Sequence, residues 1–161
     1  MNSKIREAHV EDKEQMLSVI GSYPFKWDKR IAEKYYDDYF DESISLKGDK
    51  VFVLASGKKV LGVIGFALDM YETRNYWLKW FYVHQNCQGK GYGSRLLNFV
   101  ARRLRRKGIK KLFVETSSDE AYRTALMMYL DRGFRIEAAI TDYYTKGEDR
   151  IVLSKVIAPQ G

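Results

Sequence analysis

The spacing of the apolar residues changes abruptly around a glycine-rich turn in the middle of the chain, and this change constrains the fold more than any other feature. Residues 76–83 are apolar on both faces, which is typical of a buried central strand. From Gly93 onward the apolar residues recur at helical spacing until Gly108 ends the helix. Residues 111–116 then have the pattern of a second strand. This order predicts two parallel strands that are joined by a right-handed crossover.

Antiparallel strand signals lie before and after this unit. Residues 51–55 and 60–68 are two apolar runs joined through a turn that contains Gly57, which predicts a hairpin. Ser117 and Glu120 are three residues apart, as in the capping box that begins many helices. The remaining predicted elements are a strand at 4–8, helices at 11–20, 27–42 and 120–132, and closing strands at 134–140 and 149–156. We therefore expect a single domain of mixed α/β (α+β) class, with antiparallel flanks around a parallel pair.

Composition excludes several classes of protein. The chain has 161 residues, of which 45% are hydrophobic, so intrinsic disorder is excluded. Its longest uncharged apolar run, residues 60–68, is far shorter than the roughly 20 residues of a membrane-spanning helix. Cys87 is the single cysteine, so no internal disulfide can form, and with only His9 and His84 beside it no structural zinc site is expected. We expect a cytoplasmic protein that uses no metal.

The net charge favours an anionic ligand. Lys plus Arg number 28 against 21 Asp plus Glu, which gives a formal charge of +7. Nucleic acid and a phosphate-bearing cofactor both fit this excess.

The glycine turn is itself suited to a phosphate. Gly89, Gly91 and Gly93 alternate between the buried strand and the start of the helix. Without side chains in the way, successive N–H groups at a helix N-terminus converge on one point, where the helix dipole adds positive charge. Lys90 and Arg95 bring further positive charge to the same region. The spacing G-x-G-x-G differs from the dinucleotide and P-loop motifs, which disfavours those folds.

On these residues the sequence resembles the GNAT superfamily of acetyl-CoA-dependent N-acetyltransferases. The family's pyrophosphate loop reads Q/R-x-x-G-x-G/A, and residues 88–93 match it. A second block of the family, here Ala125, Tyr129 and Gly133 followed by Phe134, lies at the expected distance downstream. The two ends of the chain are also similar to the family, with some resemblance to ribosomal-protein N-terminal acetyltransferases. The resemblance implies one N-acetyltransferase domain over residues 1–161.

The resemblance also implies where acetyl-CoA binds. In the family the two parallel strands splay apart, and the pantetheine arm lies in the gap. The main chain of Phe81, Tyr82 and Val83 would then bond the pantetheine amides like an added strand. The residues implied to receive the pyrophosphate are Gln88, Gly89, Lys90, Gly91, Tyr92, Gly93 and Ser94.

Acetyl transfer to an amine needs a neutral nucleophile and a proton for the departing thiolate. The resemblance implies direct attack within a ternary complex and identifies Tyr129 with the family's general acid. Glu115 resembles the catalytic glutamate of the ribosomal-protein enzymes, although the interval to Tyr129 is two residues longer here. Glu72 or a chain of water molecules is the alternative base.

The acceptor and two competing functions remain open. In the family the acceptor lies opposite the cofactor, here at residues 23–42 and 142–146, where acidic and aromatic side chains could receive a cationic amine. A protein or peptide amine and a small primary amine both fit, as do a monomer and a homodimer. The alternatives are a basic nucleic-acid-binding module built on the arginine-rich residues 102–107, and an acyl-CoA-binding protein without turnover.

Overall fold

One seven-stranded sheet organises the chain in a computed structural model, which describes residues 2–71 and 73–157. The strands are β1 (Ser3–Glu7), β2 (Lys50–Ser56), β3 (Lys59–Leu68), β4 (Asn75–Val83), β5 (Lys111–Ser117), β6 (Arg135–Thr145) and β7 (Glu148–Val156). The helices are α1 (Lys13–Ile20), α2 (Lys26–Phe40), α3 (Tyr92–Arg106) and α4 (Arg123–Asp131). The strand order is β1-β2-β3-β4-β5-β7-β6, and β4 with β5 is the parallel pair. The predicted mixed sheet, with β4 at its centre, is confirmed.

The parallel pair separates along its length. β4 and β5 pair over only three positions, from Asn75 opposite Lys111 to Trp77 opposite Phe113. Beyond them β4 continues against β3 alone, and β5 continues against β7 alone. The two strands therefore splay towards their carboxyl ends, as the resemblance implied, and backbone groups of β4 face a gap.

A bulge in β4 lies at the beginning of this gap. The register against β3 shifts between Val63, which is opposite Tyr82, and Gly65, which is opposite Lys79. Trp80 occupies the extra position with φ of 50°, a left-handed conformation that is costly for a bulky residue. Its indole Nε1 is buried and has no hydrogen-bond partner within the described residues.

Two apolar layers cover the sheet on opposite faces. α3 and α4 pack on one layer, in which Leu96, Leu104 and Tyr129 are buried, and α1 and α2 pack on the other, in which Met16 and Tyr36 are buried. The apolar residues of α3 recur with the 3.6-residue period of a helix, so they form one stripe that faces the sheet, while the basic residues face solvent. In the part of the chain that the structure describes, no helix has the length and apolar character needed to cross a bilayer.

Three predicted boundaries need correction. Asp119, rather than a capping box from Ser117, caps a 3-10 turn over residues 120–122 that precedes α4, since its side chain accepts from the Ala121 N–H. Ser117 instead ends β5 and donates its hydroxyl proton to Glu148. The predicted strand at 134–140 extends to Thr145, because β7 continues to pair with it as far as Glu148. The predicted first helix is shorter, with a 3-10 turn over residues 10–12 before α1.

Candidate acetyl-transfer site

The glycine turn forms an open concave surface at the N-terminus of α3. Gly89 and Gly91 have φ of 76° and 75°, a left-handed conformation that other residues adopt at a cost, and Gly91 is the residue that precedes α3. The first N–H groups of α3 lack acceptors within the helix by geometry, so they are available to an anion. Gly93 lies in the same wall, where a Cβ would be 3.4 Å from Sδ of Met128. The turn therefore fits a pyrophosphate.

A cavity of about 270 Å³ adjoins this turn. Of the residues implied to bind the cofactor, those that line it are Phe81, Val83, Gln88, Gly89, Gly91, Tyr92, Gly93 and Ser94. Lys90 and Tyr82 do not line it, although the implied contact of Tyr82 uses the main chain. Cys87 lines the same cavity. Arg95, which we expected near the phosphates, donates instead to the hydroxyl and carbonyl oxygens of Ser3 at 2.7 and 2.9 Å.

A second, larger cavity of about 500 Å³ opens on the other side of β4, between the start of α2 and the β5–β7 wall. Both residues predicted to transfer protons, Tyr129 and Glu115, line it. Tyr23, Phe81 and Ala125 line both cavities, so the two meet at these residues. This arrangement brings two clefts, one on each side of β4, to one junction.

Tyr129 lies next to this junction. Its side chain is buried, and its ring contacts the rings of Phe81 and Phe134 at centroid distances of 6.0 and 5.4 Å. Burial, with a smaller effect of Tyr23, raises the pKa of the Tyr129 phenol above its ordinary value. Tyr129 is therefore protonated at neutral pH, the state that a proton donor needs.

Tyr23 joins the two cavities through its hydroxyl. The hydroxyl donates to the carbonyl oxygen of Val83 at 2.9 Å and accepts from Nε2 of Gln88 at 2.6 Å. It thereby connects the segment between α1 and α2 to the glycine turn. Sequence reasoning placed Tyr23 only within the acceptor segment, because a contact with a residue 65 positions away leaves no local signal.

The carboxylates of the second cavity have different partners. Glu115 is paired with Arg150 of β7, and Glu148 accepts a hydrogen bond from the hydroxyl of Ser117. Although burial opposes the effect, pairing with Glu115 raises the pKa of the Arg150 guanidinium. The alternative base, Glu72, lies outside the described residues. No group of three His, Cys, Asp or Glu side chains suited to a metal ion occurs among the residues that the structure describes.

The opposite wall holds a carboxylate that sequence reasoning did not single out. Asp28, in the first turn of α2, accepts at Oδ2 from the hydroxyls of Tyr82 and Tyr122 at 2.7 and 3.0 Å. Burial and the nearby Asp28 charge raise the pKa of Tyr82 and of Tyr122, so both hydroxyls keep their protons. Asp28 precedes Tyr82 by 54 residues and Tyr122 by 94 residues in the sequence, so only the fold brings these side chains together.

Comparisons with known proteins agree with this geometry. The sequence profile of the Acetyltransferase (GNAT) family matches residues 13–134. Among solved structures, a GNAT-family protein of Desulfovibrio desulfuricans superposes with a TM-score of 0.88 and 23% identity, over 98% of this chain and 100% of that one. The ribosomal-protein-S18-alanine N-acetyltransferase of Escherichia coli gives a TM-score of 0.81 and 18% identity, over 99% and 97%.

A third structure, an aminoglycoside 6'-N-acetyltransferase complexed with coenzyme A, gives a TM-score of 0.75 and 14% identity, over 98% of this chain and 99% of that one. At these identities the structures establish the fold alone. A comparison with curated protein sequences gives no significant match. The family profile covers about three quarters of the chain and includes the glycine turn and Tyr129. This protein is a member of the GNAT family of acetyltransferases.

Proposed function

We propose that the protein transfers an acetyl group from acetyl-CoA to a primary amine by direct attack within a ternary complex. The observation that carries this proposal is the junction of the two cavities at Tyr23, Phe81 and Ala125. Acetyl-CoA would enter from the glycine-turn side and the amine from the other. Holding both reactants at one junction removes most of the entropic barrier to their reaction.

The cofactor half of the proposal rests on backbone groups. The gap between β4 and β5 leaves the main chain of residues 81–83 beside the first cavity, where the pantetheine amides would pair with it. The pyrophosphate would lie at the turn formed by residues 88–94, against the N-terminus of α3. Lys90 is exposed at this turn, so its ammonium would approach the phosphates from solvent.

The proposed step is a transfer of the acetyl group from sulfur to nitrogen. The neutral amine attacks the thioester carbon, so a C–N bond forms and the C–S bond breaks. Tyr129 donates its phenolic proton to the departing thiolate and regains one from solvent. Glu115 accepts the proton that the amine loses, directly or through water. The step uses no metal ion.

The Glu115 carboxylate is held by Arg150, so this contact must loosen before the carboxylate can reach the amine. The incoming amine is itself a competing cationic partner before it loses its proton. Glu148 is the second carboxylate of the same wall and is the alternative acceptor.

The acceptor class is a primary amine on a peptide or on a small molecule. The fold resembles both an enzyme whose name specifies a ribosomal-protein alanine and one whose name specifies an aminoglycoside. We further propose a cytoplasmic protein, since the lone Cys87 fits a reducing compartment, and a monomer or homodimer.

Initial-rate kinetics test the proposal. Thiol release is measured while acetyl-CoA and an amine are varied together, and we expect double-reciprocal lines that intersect, as a ternary complex requires. Parallel lines would indicate an acetyl-enzyme, and Cys87→Ser then tests the thiol that lines the first cavity. Binding of acetyl-CoA without thiol release for any amine would overturn the proposal and favour an acyl-CoA-binding protein.

A further inference from the structure

Only one of the two carboxylate oxygens of Asp28 accepts hydrogen bonds from the side chains that the structure describes. Tyr82 and Tyr122 both donate to Oδ2, and among the side chains that the structure describes none donates to Oδ1. Phenols solvate a carboxylate but do not neutralise its charge. Oδ1 of Asp28 therefore has lone pairs available to a ligand in the wall of the second cavity.

Aromatic rings line the same cavity as this carboxylate. The ring of Tyr122 is stacked between those of Tyr23 and Phe25, at centroid distances of 5.8 and 5.3 Å. Tyr23 also meets Tyr82 edge-on at 5.0 Å, and Trp27 lies 4.8 Å from Phe25 at the exposed rim. Ring faces around a carboxylate attract an alkylammonium group, which gains both ion pairing and cation–π contact.

The charged residues of the second cavity favour a cationic ligand, although the protein as a whole is basic. The wall of this cavity holds three carboxylates and two cationic groups, whereas the whole chain has a formal net charge of +7. Glu115 and Arg150 form an ion pair with each other, and the two carboxylates that remain outnumber the one remaining cation, Lys79. The remaining attraction for a cation is at Asp28 and at Glu148.

A group bound at Asp28 is unsuited to be the attacking amine. An amine must be neutral to attack the thioester, whereas contact with a carboxylate stabilises the ammonium form. The two phenol donors also occupy Oδ2 of Asp28, which leaves Oδ1 for a ligand. The site can therefore hold a cation, but it does not favour the neutral amine that attacks the thioester.

We propose that the acceptor carries two cationic groups, and that Asp28 with the aromatic rings of the same cavity binds the one that does not react. The proposal rests on the acetyl transfer proposed above. The bound ammonium exchanges no atoms, and the second amino group of the same molecule reaches the junction at Tyr23, Phe81 and Ala125, where it becomes the nucleophile. A diamine, or a peptide with a cationic side chain near its free amino group, has this chemistry.

A matched pair of probes tests the proposal. At saturating acetyl-CoA, kcat/KM is compared for 1,5-diaminopentane and 1-aminopentane, which differ in the second amino group. A charged hydrogen-bonded contact is worth about 1.5–3 kcal/mol, so we expect a preference for the diamine of roughly 10- to 100-fold. In Asp28→Asn the kcat/KM for the diamine should fall to that of the monoamine, mainly through KM.

The control is Glu33→Gln, which removes one negative charge from an exposed position of the same helix. It should retain the preference. Calorimetric titration of the diamine into the protein–CoA complex gives a readout without turnover and should show weaker binding only in Asp28→Asn. Equal rates for the two probes in the wild-type protein, or an equal loss for both in Asp28→Asn, would overturn the proposal but leave acetyl transfer intact. Failure to use any amine would instead overturn the proposed function.

Discussion

At the scale of single residues, the hydroxyl of Tyr129 is the sharpest test of the proposed chemistry. Tyr129→Phe should lower kcat roughly 10²-fold and leave the Kd of acetyl-CoA unchanged, as expected when a general acid is lost. Stopped thiol-release assays and calorimetry measure the two quantities. Tyr36→Phe is the matched control, because Tyr36 is equally buried but belongs to the other apolar layer. An unchanged kcat in Tyr129→Phe would remove this phenol from the mechanism.

The two carboxylates of the β5–β7 wall can be distinguished by the rates of their amide variants. If Glu115 is the base, Glu115→Gln should lower kcat/KM by roughly 10- to 100-fold and leave the Kd of acetyl-CoA unchanged. Glu148→Gln should retain most of the rate, because Glu148 is hydrogen-bonded to Ser117. The reverse result would assign the base to Glu148, and a retained rate in both variants would favour water.

Contacts between single residues also show which parts of the candidate site could not be predicted from the sequence. The roles implied for Gln88 and Tyr129 came from motifs that are local in sequence. The contacts of Asp28 with Tyr82 and Tyr122 join three distant segments of the chain. Each segment alone has an ordinary aromatic or acidic sequence that does not predict a shared site. Such contacts depend on the position of α2 against the sheet, which the spacing of its apolar residues does not specify.

At the scale of elements, strands and helices were predictable wherever a strong period met a clear stop signal. The β2–β3 hairpin and α3 have such signals, and their positions were predicted closely. The end of β6 was missed because its whole length is exposed, so it lacks the alternation of buried and exposed residues that marks a half-buried strand. Pairing with β7, rather than burial, sets where β6 ends.

The junction of β1 with the start of α1 depends on one ion pair. Both Arg6 guanidinium N–H groups that face Asp12 donate to its carboxylate, at 2.7 and 2.9 Å, and the His9 N–H donates at 2.8 Å. The hydrogen bond from Arg6, opposed by burial, holds the pKa of Asp12 below its ordinary value. Asp12→Asn should lower the free energy of unfolding by about 1–3 kcal/mol near neutral pH, because a charged hydrogen-bonded partner is lost.

This loss should depend on pH in a definite direction. Because the pKa of Asp12 is lower in the folded protein, its contribution is complete above the unfolded value of about 3.9 and disappears as pH falls through the folded value. Urea unfolding between pH 7 and pH 2.5 should show the wild-type and Asp12→Asn curves converging at the acidic end. Glu11→Gln, an exposed neighbour, should follow the wild-type protein. A constant gap across this range would contradict the linkage.

At the scale of the whole molecule, part of the basic charge on α3 serves the packing of the domain. The Arg103 guanidinium lies 5.0 Å from the ring centre of Phe52 and 5.4 Å from that of Phe99, and Nζ of Lys107 lies 5.8 Å from that of Phe66. These cations lie over the rings of phenylalanines that belong to the core or pack against it. They explain some of the arginine-rich stretch without nucleic acid, and they leave the glycine turn as the proposed anion site.

The splayed sheet makes ligand binding a whole-molecule effect. A cofactor that pairs with β4 and lies at the N-terminus of α3 binds only the folded chain. It should therefore stabilise the protein by about 2.7 kcal/mol at a ligand concentration 100 times its Kd. For a domain of this size we expect acetyl-CoA to raise Tm by roughly 5–10 °C. Calorimetric or fluorescence melting measures the shift, with 3′-dephospho-CoA and duplex DNA as comparators.

Two glycine variants decide whether that shift comes from the turn. Gly91 and Gly57 have φ of 75° and 59°, and neither has an atom within 4 Å of a built Cβ. Gly91→Val and Gly57→Val should therefore incur similar backbone strain, but only the former adds a side chain where the phosphates would lie. We expect the shift with acetyl-CoA to persist in Gly57→Val and to be largely lost in Gly91→Val. A shift with DNA and none with acetyl-CoA in the wild-type protein would mean that the glycines form only a turn and that the basic face binds the ligand.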